Sequence, residues 1–474
     1  MERCGFTLDN LKDILAKHNI MLKDDYIIKG ISDDHHDIID GFVYIAFNKS
    51  LSYVKEIIDL DIIVLSEYKI ENEKCIYIAN LKVLIDDILF DYYGDLSSKL
   101  MLIGVSGTNG KTSISSYLHS CLDNSMLIGT NGVFYKSRYI KINNTTPSKC
   151  KLHYLLNIAL KNEITTIIME ISSHAIDLNR IYNIYYDYIC ISNITKDHLD
   201  YHKTYTHYIF TKYKLRWKLK KEGKLVINVD DKNLFGLLNY TKKVITLGKC
   251  AHYSISNISN NDDSYSFRLN DEYYTSSLKG DFNIYNLSFV IIILKLLGYK
   301  YKEIISLTSF LHEPTGRMEV IETDKLKLII DFAHTPDGLL KLLEYANSIK
   351  VNNVILVIGC GGERDRNKRK YMGQIGSSYS DILILTQDNS RNEDINIIIN
   401  DIEENIEKDH YVIHDRKKAI QFAINIAKNN DIIVIGGRGN EDYLDIKNVK
   451  IFLNDKQYVL ELLDQEDIRC LKEC

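Results

Sequence analysis

The segment with the clearest chemistry runs from Gly104 to Thr112 and reads GVSGTNGKT. It lies between an apolar run, MLIGV, and a segment of helical periodicity that begins near Lys111. Amides of a glycine-rich turn at a helix N-terminus can surround phosphate oxygens, while a lysine neutralises them and a threonine hydroxyl binds Mg²⁺. Gly104 stands one residue too early for the strict P-loop spacing. The segment nevertheless predicts a nucleotide-phosphate loop, and a plain glycine-rich turn is the alternative.

Two further chemically capable side chains follow apolar runs. Glu170 lies near the end of TTIIMEI at 165–171, and His198 lies in KDHLD, shortly after YDYICIS at 186–192. Open α/β sheets bind ligands at the carboxyl ends of their strands, where both residues are expected. A carboxylate and an imidazole there can bind a metal ion. A lone acid or histidine is more often structural, so these two residues alone leave both interpretations open.

Short motifs continue along the rest of the chain. They are NTTP at 144–147, MEISSHAIDLNR at 169–180, NITKDHLDYH at 193–202, INVDD at 227–231, GDFNIYN at 280–286, GRME at 316–319, DFAHTPDG at 331–338, GCGGERDRNKR at 359–369, DNSR at 388–391 and GRGNED at 437–442. In this order, and together with GTNGKT, they resemble the Mur ligase family over nearly everything after residue 90. Within that family the resemblance favours the branch that adds meso-diaminopimelate to UDP-MurNAc-L-Ala-D-Glu.

The resemblance implies an ATP-dependent carboxylate–amine ligase that forms a peptide bond. ATP would phosphorylate the substrate carboxylate, and the amine of the incoming amino acid would attack the acyl phosphate. The product would be a peptidoglycan precursor, which connects the protein to cell-wall biogenesis, cell shape and cell division. ATP and Mg²⁺ are the implied cofactors. The implied ATP-binding residues are Gly107, Thr108, Asn109, Gly110, Lys111, Thr112, Ser113, Asn286 and Arg317.

Lys212 acquires a role only through the resemblance. Its local sequence, HYIFTKYKLRWKLKK, is typical of a solvated helix face. The register from DHLDYH, however, matches it to a family lysine that reacts with CO₂ to form a carbamate, and the same register excludes Lys214. The implied catalytic residues are therefore Lys111, Glu170, His198 and carbamylated Lys212. The implied metal ligands are Thr112, Glu170, His198 and Lys212.

Substrate-binding residues are implied in the same way. They are Asn144, Thr145, Thr146, Ser172 and Arg180 and, for the amino acid, Arg364, Asp388, Asn389, Arg391, Gly437 and Glu441. A zwitterionic amino acid with a second zwitterionic end requires guanidinium groups for carboxylates and acids for ammonium groups. The arginine of DNSR favours a distal carboxylate over the bare ammonium of lysine. A surface ion-pair cluster is the alternative interpretation.

Several positions depart from the family pattern. In the amino-acid region, Ser390 replaces a proline, and Arg438 and Asn440 replace the lysine and histidine of the family motif GKGHE. In the acceptor region, Leu178 replaces a polar residue. Near the N-terminus, the uridine-binding pattern DSR appears as Asp34-His35-His36, and the loop near 48–50 is shortened. Three functions therefore remain open. They are diaminopimelate addition, ligation of another amino acid or acceptor in a specialised pathway, and nucleotide binding by an inactive homologue. The intact residues Lys111, Glu170, His198 and Lys212 favour an active enzyme.

The elements that must position these residues are predicted by alternating apolar runs and helical segments. We expect an α/β protein of three domains. Residues 1–98 form a small N-terminal α/β domain that binds the UDP-sugar acceptor, 99–315 form a central P-loop-like ATPase domain with a parallel sheet, and 316–474 form a Rossmann-like domain that binds the amino acid. Strands are expected at 165–171, 186–192 and 224–229, and again at 327–332, 353–359, 381–386 and 431–437.

Composition narrows the partners. A net charge of −5 over 474 residues gives no basic field for nucleic acid or an anionic membrane, so we expect neither partner. Nine cysteines without paired spacing, and a start without a basic and apolar signal segment, favour the cytoplasm. The apolar run at 289–297 is too short to span a bilayer and is expected to be a buried helix. We expect a monomer whose partners are a UDP-linked muropeptide and an amino acid.

Overall fold

The computed structural model describes residues 9–22, 27–239, 243–261 and 264–472. The chain divides into two compact units. The first comprises Met1–Ser106, Leu122–Cys190 and Lys214–Leu225, and the second comprises Gly107–Cys121, Ile191–Tyr213 and Val226–Cys474. The predicted domain boundaries near 98 and 315 stay a prediction. Residues 1–8, on which part of the expectation of a missing signal segment rests, lie outside the described residues.

The first part of the chain is a four-stranded parallel sheet with helices. Its elements are α1 (Asp9–Lys17), β1 (Gly30–Ser32), β2 (Phe42–Ala46), α2 (Val54–Ile57), β3 (Ile63–Ser66), β4 (Cys75–Tyr77) and α3 (Leu81–Tyr93), with strand order β1-β2-β3-β4. Alternate residues of β2 enter different cores, because side chains of a strand alternate between faces. Val43 and Ile45 pack in the cluster that includes residues of α1 and α3, and Tyr44 and Ala46 pack in a second cluster with residues of α2.

The middle of the chain contains the predicted strands and several that were not predicted. Its elements are β5 (Met101–Ser106), α4 (Lys111–Cys121), β6 (Ser125–Gly129), β7 (Gly132–Tyr135), β8 (Arg138–Ile140), α5 (Lys149–Lys161), β9 (Thr166–Glu170), α6 (Ser173–Asp177), β10 (Tyr186–Ile191), α7 (Leu199–His202), α8 (Tyr205–Tyr213), β11 (Leu219–Asn228), β12 (Val244–Gly248), β13 (Tyr253–Asn261), β14 (Ser264–Leu269), β15 (Glu272–Ser276), α9 (Asp281–Leu296) and α10 (Tyr301–Thr308). In the first unit the strand order is β10-β5-β9-β6-β7-β8. The pairs β5–β9 and β6–β9 are parallel, whereas β6–β7 and β7–β8 are antiparallel.

In the second unit, β12 pairs in parallel with β13, and β13, β14 and β15 form an antiparallel meander. The apolar run at 289–297 lies mostly in α9, whose residues from Leu287 to Leu294 are buried, as expected. The parallel sheet was predicted correctly. The antiparallel strands were missed because their sequences, such as SYSFRL and EYYTS, lack a long apolar run.

The last part of the chain is a second α/β sheet. Its elements are β16 (Glu319–Glu322), β17 (Lys327–Ile330), α11 (Pro336–Ile349), β18 (Val354–Ile358), α12 (Asn367–Tyr379), β19 (Ile382–Leu385), α13 (Ile395–Glu403), β20 (Tyr411–Val412), α14 (Arg416–Ile426), β21 (Ile432–Ile435), β22 (Tyr443–Ile446), β23 (Val449–Phe452) and α15 (Asp455–Lys472). The six-stranded sheet has the order β16-β17-β21-β18-β19-β20, and every neighbouring pair is parallel except β16–β17.

Both faces of this second sheet are covered, which explains why its strands are continuous apolar runs. Leu356 and Ile358 of β18 pack in the cluster that contains α11, α12 and α13, while Ile355 and Val357 pack in the cluster that contains α14. The mainly parallel sheet and the helices on both of its faces confirm the prediction of a Rossmann-like fold. Among the described residues, no helix has the length and apolar character required to cross a membrane.

Candidate active site

The loop before α4 is shaped by hydrogen bonds to the segment after β10. The amides of Thr108 and Asn109 donate to the main-chain and side-chain oxygens of Asn193, both at 2.9 Å. The Thr108 hydroxyl donates to Thr195 O at 3.1 Å and accepts from Thr195 N at 2.9 Å. Gly107 has a φ of +144°, and a Cβ there would overlap a neighbouring hydroxyl. The protein itself therefore fixes the loop, which is the preorganisation that a phosphate-binding site requires.

Two lysines share a carbonyl of this loop. Lys111 Nζ donates to Gly107 O at 2.9 Å and to Thr108 O at 2.8 Å, and Lys212 Nζ donates to Gly107 O at 2.9 Å. Lys212 is 1% exposed, and its Nζ lies 4.9 Å from the ring centroid of Tyr208. Burial, and next the positive charge of Lys111, lower the pKa of Lys212 well below its ordinary value. The predicted carbamate-forming lysine thus lies beside the predicted phosphate loop, and its neutral amine form is favoured.

A cleft of about 830 Å³ opens beside the loop within the second unit. Its lining includes Asn109, Gly110 and Ser113 of the loop and α4, together with Asn286 of α9 and Arg317. Gly110 has a φ of +86°, and a Cβ there would lie 2.5 Å from Asn286 Oδ1. Only glycine permits this approach. The volume is within the range of pockets that bind small molecules, and the cleft brings together five of the predicted ATP-binding residues.

Arg317 connects α4 to the far wall of the cleft. Its Nη2 donates to Thr112 Oγ1 at 3.2 Å, and its guanidinium carbon lies 4.4 Å from the ring centroid of Phe332. Asn109 Nδ2 donates to Asp337 Oδ2 at 2.8 Å, so a second contact links the loop to the segment at 331–338. Thr112 is thereby placed with Arg317 and the loop, as the sequence predicted for a phosphate site.

His198 lies in a cluster that the sequence analysis did not single out. Asp197 Oδ2 lies 3.3 Å from His198 Nε2 and 3.9 Å from His334 Nε2, and its Oδ1 lies 3.6 Å from Lys368 Nζ. Burial alone would raise the pKa of Asp197, but His198, Lys368 and His334 outweigh it and hold that pKa well below its usual range. Desolvation, and next the charge of Lys368, lower the pKa of His334 to about 4.

Asp197 therefore acts as an anion between two histidines and a lysine from different parts of the second unit. The residues of this cluster fall inside the motifs NITKDHLDYH, DFAHTPDG and GCGGERDRNKR. The sequence signal for this cluster was that each of the three motifs contains a titratable or charged residue. Nothing in the sequence indicated that the three motifs meet. His198 itself has left-handed backbone angles, with a φ of 55°, and it is the N-cap residue of α7.

In the first unit, Glu170 is 1% exposed at the end of β9. Thr130 donates to both carboxylate oxygens, from its amide to Oε1 at 2.9 Å and from its hydroxyl to Oε2 at 3.0 Å. The Thr146 hydroxyl donates to Glu170 O at 2.8 Å and accepts from Ser172 N at 2.9 Å. The Thr145 hydroxyl lies 3.0 Å from that of Thr130. Thus Thr145, Thr146 and Ser172 surround Glu170, and Thr130 was missed.

The predicted Arg180 joins the same neighbourhood. Its Nη1 donates to Thr146 O at 2.9 Å. Burial, the largest effect, raises the pKa of Asp33, and the charge of nearby Arg180 partly opposes this rise. Ser148 Oγ donates to Asp33 Oδ1 at 2.5 Å. Asn144 is exposed. Among the predicted acceptor residues, the structure thus groups all but Asn144 by direct contacts.

The altered uridine pattern forms a short 3₁₀ turn. Asp34 Oδ1 accepts from His36 N at 3.1 Å, and the ring of His35 stacks on Tyr53 with centroids 4.0 Å apart and planes 4° apart. The shortened loop near 48–50 is part of another 3₁₀ turn. Leu178 is 51% exposed. Two of these departures therefore lie in short 3₁₀ turns, and the third is an exposed side chain.

The predicted amino-acid residues gather at the carboxyl ends of β18, β19 and β21. Asn389 Nδ2 donates to Glu441 Oε2 at 2.7 Å, and Arg391 Nη1 donates to Asn389 O at 3.2 Å and to Gly362 O at 2.6 Å. Burial, and next the charge of Asp388, raise the pKa of Glu441. A pair of neighbouring acids, of which Asp388 is buried and Glu441 is partly exposed, favours a bound cation such as an ammonium group.

Gly437 provides room beside this pair. It has a φ of +106°, and a Cβ there would lie 3.1 Å from Asp388 Oδ2. Arg364 is exposed, yet its charge is close enough to lower the pKa of Arg391, although desolvation is the larger cause. All six predicted amino-acid residues therefore occupy one region. Arg438, noted in the sequence only as a departure, is wholly buried there.

Comparison with known proteins identifies the family of this chain. Residues 105–294 match the model of the Mur ligase middle domain, and residues 316–439 match that of the Mur ligase, glutamate ligase domain. The chain belongs to the Mur ligase family. Among curated Mur ligases, the UDP-N-acetylmuramoyl-L-alanyl-D-glutamate--2,6-diaminopimelate ligase of Fusobacterium nucleatum is 34% identical over 90% of this chain and 92% of its own length. The enzyme of the same name from Aquifex aeolicus is 38% identical over 79% of each chain.

Solved Mur ligase structures extend the comparison. A structure of UDP-N-acetylmuramoyl-L-alanyl-D-glutamate--2,6-diaminopimelate ligase is 26% identical, with a TM-score of 0.59 over 97% of this chain and 99% of that one. MurF from Acinetobacter baumannii has a TM-score of 0.70 over the same shares at 14% identity, which supports the fold alone. These matches confirm the α/β Mur ligase architecture.

Proposed function

We propose that this Mur ligase uses ATP to join meso-diaminopimelate to UDP-MurNAc-L-Ala-D-Glu in the synthesis of a peptidoglycan precursor. The observation that carries the proposal is a cluster of the predicted amino-acid residues, with both signs of charge, in the same unit as a nucleotide-sized cleft. Asp388 and Glu441 offer carboxylates for ammonium groups, and Arg391 offers a guanidinium for the distal carboxylate. The named relatives, similar along most of the chain, support this substrate pair.

The chain contributes to the reaction mainly by positioning and charge neutralisation. ATP binds in the cleft, which Asn286 and Arg317 line, and Lys111 at the start of α4 supplies positive charge for its phosphates. An oxygen of the acceptor carboxylate attacks the γ-phosphorus, and ADP leaves. The amine then attacks the acyl phosphate, forms the C–N bond, loses a proton and expels phosphate.

The residues present suit Mg²⁺, which prefers oxygen ligands. In the second unit, Thr112 would supply a hydroxyl. In the first unit, Glu170 is a buried carboxylate whose two oxygens each accept a hydrogen bond from Thr130. His198 supplies an imidazole. Lys212 fits only as a carbamate, because an ammonium group would repel the ion. When bound, Mg²⁺ supplies positive charge to the phosphate oxygens.

The state of Lys212 supports formation of the carbamate. Only the neutral amine has the lone pair that attacks the carbon of CO₂, and one proton leaves as the N–C bond forms. Burial and the neighbouring Lys111 favour that neutral amine. A lysine retained in this state supports an active ligase over an inactive nucleotide-binding homologue.

The acceptor end rests on a different part of the chain. Thr146, Ser172 and Arg180 lie together beside Glu170, which supports binding of the acceptor carboxylate there. The altered turn at Asp34–His36 makes a different acceptor the second candidate. We also propose that the protein acts in the cytoplasm as a monomer, without nucleic-acid or membrane partners.

The test is product formation by the purified chain with ATP and Mg²⁺. UDP-MurNAc-L-Ala-D-Glu and related carboxylate acceptors are each combined with meso-diaminopimelate or L-lysine. Phosphate release and product mass are measured, and Lys111→Ala serves as the inactive control. We expect the diaminopimelate adduct and no activity in the control. An adduct only with another acceptor would select the second candidate, and phosphate release equal in Lys111→Ala would refute the ATP-loop assignment.

A further inference from the structure

Arg438 lies behind the amino-acid pocket. Its side chain is wholly buried, at 0% exposure. Its Nη1 lies 3.4 Å from Asn389 Oδ1, 3.8 Å from Glu441 Oε2 and 4.0 Å from Asp388 Oδ1. One nitrogen therefore lies near three residues that are proposed to hold the amino acid.

The hydrogen bonds of Arg438 go mainly elsewhere. Its Nη2 donates to the main-chain oxygens of Tyr443 and Leu453 at 2.9 Å each, and to that of Glu441 at 3.3 Å. The two carboxylates stand beyond hydrogen-bonding distance. The cation thus acts on them through its charge and not through a hydrogen bond.

This arrangement solves a specific electrostatic problem. Two neighbouring carboxylates repel each other, and desolvation disfavours the ionised form of Glu441, although its side chain is 35% exposed. Burial and Asp388 raise the pKa of Glu441, whereas Arg438, the next cause, lowers it, as do Asn389 and Arg391. A protonated Glu441 would lose most of its attraction for an ammonium group. A fixed cation behind the pair opposes that protonation.

We propose that Arg438 is a positioning residue whose charge, behind Asp388 and Glu441, holds Glu441 as an anion and keeps both carboxylates placed for the ammonium group of the incoming amino acid. The inference rests on the proposed function, since it assumes that the amino acid binds at these acids. Arg438 contacts no substrate in this role. Its charge is the required property, so lysine at this position retains most of the effect.

The chain offers a matched control in Arg416. Arg416 is also a buried arginine, and it pairs with Asp455, whose Oδ1 lies 3.7 Å from Arg438 Nε. Its main-chain acceptors are Gly436 O and Gln387 O, one residue before the pocket residues. Loss of Arg416 therefore disturbs the same region without removing the charge nearest the two acids.

The experiment compares wild type, Arg438→Gln, Arg438→Lys and Arg416→Gln. For each we measure kcat, the KM values for meso-diaminopimelate and ATP, and the melting temperature. We expect Arg438→Gln to raise the KM for diaminopimelate by about tenfold or more, and to leave the KM for ATP within about twofold. Arg438→Lys should stay within about threefold of wild type, and Arg416→Gln should lower the melting temperature without this KM change.

Three results would overturn the inference. The first is a folded Arg438→Gln protein with an unchanged KM for diaminopimelate, or with both KM values raised in parallel. The second is an equal rise in Arg416→Gln. The third is an Arg438→Gln protein that does not fold while Arg416→Gln does, which would make Arg438 a structural ion. Wild type without diaminopimelate ligation would instead refute the proposed function.

Discussion

Replacing Arg391 by alanine tests how the protein selects its amino acid. The guanidinium donates to Gly362 O at 2.6 Å and to Asn389 O at 3.2 Å. These neutral carbonyls orient the group without cancelling its charge. The backbone is held as well, because Arg391 N donates to Asp445 O at 2.9 Å and Arg391 O accepts from Lys447 N at 2.6 Å. The side chain is therefore preorganised for a carboxylate.

The magnitude follows from this setting. Removing one partner of a desolvated charge pair costs about 2 to 5 kcal/mol. Desolvation, the main cause, lowers the pKa of Arg391, and a desolvated charge is screened only weakly by water. The positive charge of nearby Arg364 lowers the same pKa further. We therefore expect about 3 kcal/mol, which corresponds to about 150-fold in kcat/KM for diaminopimelate. L-Lysine lacks the distal carboxylate and should lose little.

The assay is the ratio of kcat/KM for meso-diaminopimelate and L-lysine, with the same acceptor, in wild type and Arg391→Ala. Arg366→Ala is the control, because Arg366 is exposed and pairs with Asp401 at 3.1 Å outside the pocket. We expect a strong preference for diaminopimelate in wild type and in the control, and a much smaller one in Arg391→Ala. A wild type that prefers lysine, or an equal loss for both amino acids, would refute the reasoning.

Two further predictions concern the buried lysine and an acid-sensitive ion pair. Lys212→Ala should lower kcat by about a hundredfold or more, and it should abolish the carbamate signal in ¹³C NMR with labelled bicarbonate. Lys214→Ala is the control, since the Lys214 side chain is 44% exposed, and it should keep both the activity and the carbamate signal. An unmodified Lys212 amine in active, Mg²⁺-bound enzyme would contradict this. Hydrogen bonds from Arg369 are the main cause that lowers the pKa of Glu393 to about 2. The ionised Glu393 therefore stabilises the folded protein fully above the ordinary pKa of 4.5, and this stabilisation is lost as pH falls towards 2. Glu393→Gln should therefore destabilise the protein at pH 7 and flatten its stability between about pH 4.5 and 2 in denaturant titrations, and an unchanged pH profile would contradict the assignment.

The sequence by itself determined the parallel sheets and the order of the functional motifs. The strands at 166–170, 186–191, 354–358 and 432–435 are short apolar runs because both faces of such a sheet are covered, and this leaves a pattern that can be recognised locally. The phosphate loop was equally visible, since its glycines are required by backbone geometry within a few residues.

Tertiary structure alone decided which distant residues meet. Lys212 has the local sequence of a solvated helix face, yet it is buried against Gly107, more than a hundred residues earlier. Asp197 joins His334 and Lys368, and Arg438 lies behind Asp388 and Glu441, in each case through chain segments that only the fold brings together. Burial and Coulomb interactions depend on distance in space, and a local sequence pattern contains no measure of that distance.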